Sequence, residues 1–180
     1  SCGTESDNTA IRSALRVRPG KRHIVTTRVE HPAILSLCKS LEKEGYIVTY
    51  LSVDSRGWID LDELRHALRD DTAIVSIMMA NNETGTILPV EEAGAIVKGR
   101  GILFHVDAVQ AVGKIPLNMG KSNIDMLSMS GHKLHGPKGV GALYIRRGTP
   151  FRAFLVGGHQ ERNRRGGTEN VASLVALGKA

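Results

Sequence analysis

Apolar residues recur along the chain in short, strand-sized runs separated by polar and helix-forming stretches. After the breaker Arg18-Pro19-Gly20-Lys21, the β-branched run His23-Ile24-Val25-Thr26-Thr27 predicts a strand. Ile47 to Leu51, Ala73 to Met79, Leu103 to Asp107, Ile124 to Met129 and Gly141 to Ile145 predict further strands. Several lack alternation and suit strands buried on both faces. Between them, Ala10 to Val17 carries helix formers, and Pro32 suits the first turn of a helix running to Glu44, with Gly45 as its stop. Asp60-Leu61-Asp62-Glu63-Leu64 opens an acid-rich helix, and another runs from about Pro89 to Lys98.

Strands alternating with helices, spaced beyond hairpin range, imply βαβ units. The expected class is α/β: a mainly parallel sheet with helices on both faces. In such a sheet the turns after the strands gather on one edge, where ligands collect. That edge would carry Thr4, His31, Asn82, Asp107 and Lys133. No repeat, low-complexity tract or linker divides the 180 residues, so one domain is expected. Past Phe151 the chain turns rich in glycine and arginine and is expected to reach outward. At the other end, Gly3-Thr4-Glu5-Ser6-Asp7-Asn8 reads as a strand-to-helix turn whose strand is missing, so residues 1–180 are expected to be a piece of a larger domain, incomplete at both ends.

Composition narrows the function classes. Formal charge is +6, much of it in Arg146-Arg147, Arg152 and Arg162-Asn163-Arg164-Arg165. Nucleic-acid readers interleave such charge with aromatics, which are only 4% here, so no nucleic-acid partner is expected and an anionic cofactor or substrate accounts for the bias. No apolar run approaches the roughly 18 residues of a membrane span, and no signal peptide is visible, so a cytoplasmic location is expected. Two cysteines do not make a disulfide framework. Cys38 shares a helical face with Ile34, Leu37 and Leu41 and reads as a core residue; Cys2 could be buried or reactive, and burial is favoured.

The densest chemistry lies in Ser128 to Gly141. Met126, Leu127 and Met129 lead into a turn of small and polar residues that presents Lys133. A neutral lysine amine condenses with a carbonyl to form a Schiff base. Pyridoxal 5'-phosphate (PLP) requires such a lysine, an acid on its pyridine nitrogen, donors for its phosphate and something against the ring face. Lys133 and Asp107 fill the first two roles. Ser130, His132, Gly3 and Thr4 suit the phosphate, His31 the ring face, and Asn82 and Gln110 the ring's oxygen substituent. Taken singly, several have plainer readings: Thr4 or Ser6 as a helix cap, which the local sequence favours, and His31 as a surface or capping histidine. His132-Lys133-Leu134-His135 looks like a metal pair but has no carboxylate in the segment, so no metal site is assigned. Gly136 to Gly141 lacks P-loop spacing and runs into a strand.

Together, Thr4-Glu5-Ser6-Asp7-Asn8, Glu30-His31, Asn81-Asn82-Glu83-Thr84-Gly85, His105-Val106-Asp107-Ala108-Val109-Gln110, Ser130-Gly131-His132-Lys133, Gly136-Pro137-Lys138-Gly139 and Gly157-Gly158-His159-Gln160-Glu161-Arg162 resemble the NifS/IscS-type cysteine desulfurases, nearer the NifS branch. The motifs arrive in the family's order and span essentially the whole chain. The resemblance implies a fold-type I PLP enzyme of the class V aminotransferase family, with the large domain of the aspartate-aminotransferase type. It implies conversion of L-cysteine to L-alanine, the sulfur leaving as a protein persulfide for an iron-sulfur scaffold or another acceptor protein, with supply of nitrogenase cofactors as one such use. Carried over by position, Lys133 is the Schiff-base lysine and proton carrier, Asp107 the partner of the pyridine nitrogen, His31 the stacking ring and a second proton-transfer group. Thr4, Ser130 and His132 match phosphate ligands, and Asn82 and Gln110 match ring contacts. Thr168 matches a residue reaching the neighbouring subunit's phosphate, which implies a homodimer with shared sites.

The family's N-terminal arm, small domain, substrate-carboxylate arginine and persulfide cysteine all fall outside the resembled segment. Neither Cys2 nor Cys38 matches that cysteine, so residues 1–180 alone are expected to be inactive and prone to aggregate. Within enzymes, a selenocysteine lyase or an aminotransferase is the alternative; outside them, a noncatalytic basic module that binds RNA or another anion through Arg162, Arg164 and Arg165.

Overall fold

The computed structural model describes residues 1–180. In chain order, α1 (Gly3–Val17), β1 (His23–Thr27), α2 (Pro32–Lys43), β2 (Ile47–Leu51), α3 (Leu61–Ala67), β3 (Thr72–Met78), α4 (Val90–Gly99), β4 (Leu103–Asp107), β5 (Met126–Ser130) and β6 (Gly141–Ile145) build the core. A 3₁₀ turn, Gly131–Leu134, follows β5. A single turn at Gln160–Asn163 (α5) and a last helix, Val171–Lys179 (α6), have no buried residue.

The six strands lie in the order β2-β1-β3-β4-β5-β6. Every neighbouring pair is parallel except β5 and β6, which run antiparallel. From β1 the chain steps outward to β2 and then returns to β3 on the other side of β1. That reversal opens a crevice at the carboxyl ends of β1 and β3, the usual place for a ligand in an open α/β sheet.

All residues of β1, β3 and β4 are buried, as their unbroken apolar runs require. Alternate residues serve opposite layers. Ile24, Ile74, Leu103 and Met126 pack with Ile11, Leu15, Ile34 and Cys38 beneath α1 and α2. Val25, Val75, Phe104 and Leu127 pack with Leu64, Ala93 and Val97 beneath α3 and α4. Cys38 is thus the core residue its helical spacing indicated. Gly45 ends the α2 turn at φ +85°, a conformation that suits glycine.

Two expectations change. Gly3, Thr4 and Ser6 lie at a helix N-terminus as expected, but the turn that carries them is itself helical from Gly3, because Ser6 N–H already bonds Cys2 O at 3.1 Å. The segment after Phe151 does not leave at once. Arg152 N–H bonds Ser13 Oγ at 2.8 Å, Arg16 bonds Ala153 O at 2.7 Å, and Arg12 and Arg16 each stand 5.9 Å from the Phe154 ring. Only beyond it does the chain become largely exposed, with Arg165 returning to Glu5 at 2.8 Å.

Phe104 is fully buried between the sheet and Gly94 of α4, whereas Ile47 on the edge strand is 46% exposed. Phe104→Ala is expected to lower stability by about 3–5 kcal/mol, and Ile47→Ala by less than about 1 kcal/mol, in urea unfolding of the protein.

Candidate active site

At the carboxyl edge of the sheet a cavity of about 250 Å³ opens. Every residue assigned to the cofactor from sequence lines it except Thr168. Thr168 lies on the exposed segment along a second cleft of about 610 Å³, beside Arg162, Arg164 and Arg165.

Each wall has a local cause. Helix α1 presents its N-terminus, where the first N–H groups have no intrahelical acceptor. Gly3 is required there: a Cβ would stand 2.8 Å from Val109 Cγ2. The capping reading of Thr4 and Ser6 is not what the fold adopts. No side chain caps α1, and Ser6 Oγ instead donates to Cys2 O at 3.0 Å and Ala142 O at 3.3 Å. Thr4 stays exposed at the cavity. His31 does cap a helix, its Nδ1 accepting from Ala33 N–H at 3.1 Å, and that bond fixes the ring while it lines the cavity. His31 thus caps α2 and lines the cavity at once. In the loop after β3, Asn81 Oδ1 accepts from the N–H groups of Glu83 and Thr84 at 2.9 Å each, which leaves Asn82 free to face the cavity.

Asp107 ends β4 with 5% exposure, and its Oδ1 accepts from Val109 N–H at 2.9 Å. Gln110, on the turn that follows, accepts from Lys114 at 2.9 Å. Ser130 ends β5, and its Oγ lies 2.9 Å from His132 Nδ1. Lys133 follows in the 3₁₀ turn, which His135 closes at φ +62°.

Four residues without an assigned role prove to belong to the site or to support it. Cys2, expected to be buried, is half-buried and lines the cavity. Asp7 lines it too, one helical turn after Gly3, although only 1% exposed. That i, i+4 spacing was the available signal. Glu30 is buried beside His31, its Oε1 accepting from Thr27 Oγ1 and Met78 N–H, both at 2.8 Å. His105, two residues before Asp107 on the same face of β4, holds Ser76 Oγ and Ser128 Oγ at 2.9 Å each. Strand periodicity could have paired it with Asp107.

Burial sets the charges. It pushes Glu30 up to about 8, against the pull of the Met78 N–H and the Thr27 hydroxyl, with Asp107 adding to the rise. Burial raises Asp107 as well, opposed by the Val109 N–H and by His31. Asp7 is driven well above its ordinary value by burial and then by the charge on Asp107, against the pull of the Ser128 hydroxyl. Burial drives His105 down to about 3, so its 3.6 Å approach to Asp7 Oδ1 is a neutral imidazole beside a carboxyl and not an ion pair. The floor thus holds two acids, Asp7 and Asp107, with Glu30 buried beneath them and no buried cation among the three.

Such a floor suits a ring nitrogen that carries a proton. Helix N–H groups, Thr4, Ser130 and His132, which also line the cavity, suit an anion, and Lys133 beside them in the chain suits a carbonyl. Asp7 Oδ1 is buried without a hydrogen-bond partner, as is Glu30 Oε2, so this acid layer has unmet acceptors, and of the two residues only Asp7 lines the cavity. The donor set fits PLP end to end.

The chain matches the family model "Aminotransferase class-V" over residues 1–180. It is 68% identical over 180 residues to a "Cysteine desulfurase" of Nostoc sp. and 59% identical over 180 residues to the "Cysteine desulfurase NifS" of Azotobacter vinelandii, covering 100% of this chain and 45% of each relative. The chain thus spans about half the length of the curated relatives it matches. A solved NifS-like protein superposes with a TM-score of 0.95 at 48% identity, over 99% of this chain and 50% of that one.

Between its ordinary value of 4.5 and about 8, Glu30 keeps a proton in the native state that it has lost in the unfolded chain. The stability from that proton is complete below 4.5 and is lost as pH rises through 8, at up to about 1.4 kcal/mol per pH unit within the window. Glu30→Gln, which keeps the shape and the acceptor, should flatten this part of the decline. Urea unfolding from pH 5 to 9 checks it, and parallel curves for the two proteins would contradict it.

Proposed function

Because the chain belongs to the class V aminotransferase family over its whole length, we propose that it forms the PLP-holding part of a cysteine desulfurase, converting L-cysteine to L-alanine and passing the sulfur on as a persulfide. The observation that carries this reading is the single cavity that gathers Lys133, Asp107, His31 and the phosphate-type donors. When bound, PLP supplies an aldehyde that condenses with amines and a ring that takes up electron density.

The chain's own groups divide the work. Asp107 offers its remaining oxygen to the ring nitrogen and holds a proton there. The N–H groups of α1 with Thr4, Ser130 and His132 bind the phosphate, the Ser130 to His132 contact at 2.9 Å fixing both side chains. His31, locked by the Ala33 N–H, lies against the ring face. Asn82 and Gln110 hold the ring's oxygen substituent. Lys133 Nζ would hold the aldehyde covalently, and its amine, when free, would accept a proton from the substrate α-carbon and return it.

Cys38 is unsuited to receive the sulfur, since burial pushes its thiol up to about 12 and leaves little thiolate. Cys2 is fixed by its backbone at the phosphate end, its carbonyl holding both the N–H and the hydroxyl of Ser6. The sulfur acceptor in this reading is a thiol outside these 180 residues, so the 180-residue chain alone should release neither alanine nor sulfide from cysteine. The complete protein is proposed to work as a cytoplasmic homodimer in which Thr168 reaches the neighbouring subunit's phosphate, and to serve an iron-sulfur scaffold or similar acceptor. Its likeness to the Azotobacter vinelandii protein supports the NifS branch.

The complete protein should be yellow, and borohydride should fix the colour to the peptide carrying Lys133. Lys133→Ala should leave the cofactor dialysable and slow turnover by roughly 10²–10⁴-fold for loss of the proton carrier alone. A colourless protein that binds RNA and releases it with salt would overturn the reading.

A further inference from the structure

We propose that Asp7 is a second carboxyl for the cofactor's ring nitrogen, acting beside Asp107 at the cavity floor; this deepens the reading above and rests on it. Asp7 sits on α1 one turn after Gly3, is 1% exposed, and still lines the cavity. Its Oδ1 has no hydrogen-bond partner. The nearest ring nitrogen of the protein is His105 Nε2 at 3.6 Å, beyond hydrogen-bond reach, and both nitrogens of His105 are already engaged by Ser76 and Ser128 at 2.9 Å.

Register explains how these groups meet. Ser76 lies opposite His105 across β3 and β4, and Ser128 lies opposite Asp107 across β4 and β5, so the side chains form one polar column on the face that α1 covers. Within that column the hydroxyls and the imidazole satisfy one another. Asp107 spends Oδ1 on the Val109 N–H. What remains at the top is one oxygen of Asp107 and the orphaned oxygen of Asp7, on two residues that both line the cavity. Asp107, Glu30 and Cys2 are the titratable groups whose charges bear on Asp7, and none of them is a cation. A protonated ring nitrogen supplies the donor and the positive charge this floor lacks. A water on Oδ1 would satisfy the donor requirement only.

The test uses the complete protein with Asp7→Leu and Asp7→Asn, titrated with PLP, with pyridoxal, and with the 1-deaza analogue of PLP, in which a C–H replaces the ring nitrogen. Asp7→Leu should weaken PLP and pyridoxal by the same factor, roughly tenfold or more, the size of one charge-assisted hydrogen bond. The deaza analogue should bind wild type and Asp7→Leu alike. Asp7→Asn, close in shape and still an acceptor, should lie between wild type and Asp7→Leu, and it decides the matter if the leucine variant does not fold. Unchanged PLP affinity in the variants, or equal weakening of PLP and the deaza analogue, overturns the assignment, since a water site or a packing role would show no preference for the ring nitrogen. Wild type that takes up no PLP at Lys133 overturns the functional reading and the Asp7 assignment with it. Wild type that does, with variants unaffected, overturns the Asp7 assignment alone.

Discussion

Asp7, Glu30 and Asp107 are carboxyls buried where the parallel strands end, with the adjacent imidazole of His105 held neutral by burial. Removing a charged carboxylate from water is costly unless a cation or several donors replace the water. The fold meets this cost unevenly. Glu30 receives a backbone N–H and a hydroxyl, Asp107 one N–H on Oδ1, and Asp7 Oδ1 nothing. Glu30 Oε2 is equally without a partner, so unmet acceptors remain both beneath the cavity and at Asp7, which lines it. Of the two orphaned oxygens, only that of Asp7 would be open to a protonated ring, because Asp7 lines the cavity and Glu30 does not.

The sheet makes this arrangement possible. Parallel strands place their carboxyl ends on one edge, and the reversal from β2 to β3 opens the crevice between β1 and β3. Glu30 bridges that crevice from the turn after β1 to the Met78 N–H at the end of β3. It extends the pairing of two strands whose backbone partners stop at Val25 and Val75. The carboxyl therefore acts as a side-chain continuation of the sheet, and His31, the next residue, inherits its position from that bond and from its own cap on α2.

The strands were legible because their signals are local. Unbroken runs such as Ala73 to Met79 allow little besides a buried strand, and Pro32 with Gly45 brackets a helix whichever way it packs. The convergence of Lys133, Asp107, His31 and Thr4 was legible from topology, since each follows a strand or opens a helix at one edge. The start of α1 was not, because Gly3 to Asn8 are poor helix formers and their helix is held by packing against β5 and β6. Asp7, Glu30 and His105 were obscured for a different reason. A carboxylate or histidine beside a strand end reads as a solvated group, and only the register that sets Ser76 against His105 and Ser128 against Asp107 shows that these side chains have no water to face.

Lys133 depends on the one strand that breaks the parallel pattern. Its 3₁₀ turn has little regular hydrogen bonding of its own, and it is pinned from outside: Gly131 N–H bonds Val140 O at 2.8 Å, and Gly136 N–H returns to Gly131 O at 2.9 Å. Val140 directly precedes β6, whose antiparallel pairing sets Gly141 against Ser130. A parallel return would carry the chain across the sheet before it came back, and no neighbouring backbone would meet the turn so soon after β5. The antiparallel return closes the loop after residues 131–140 and clamps both ends of the lysine turn. Its other end rests on Ser130, so the clamp that orients the lysine also fixes the serine proposed to bind phosphate.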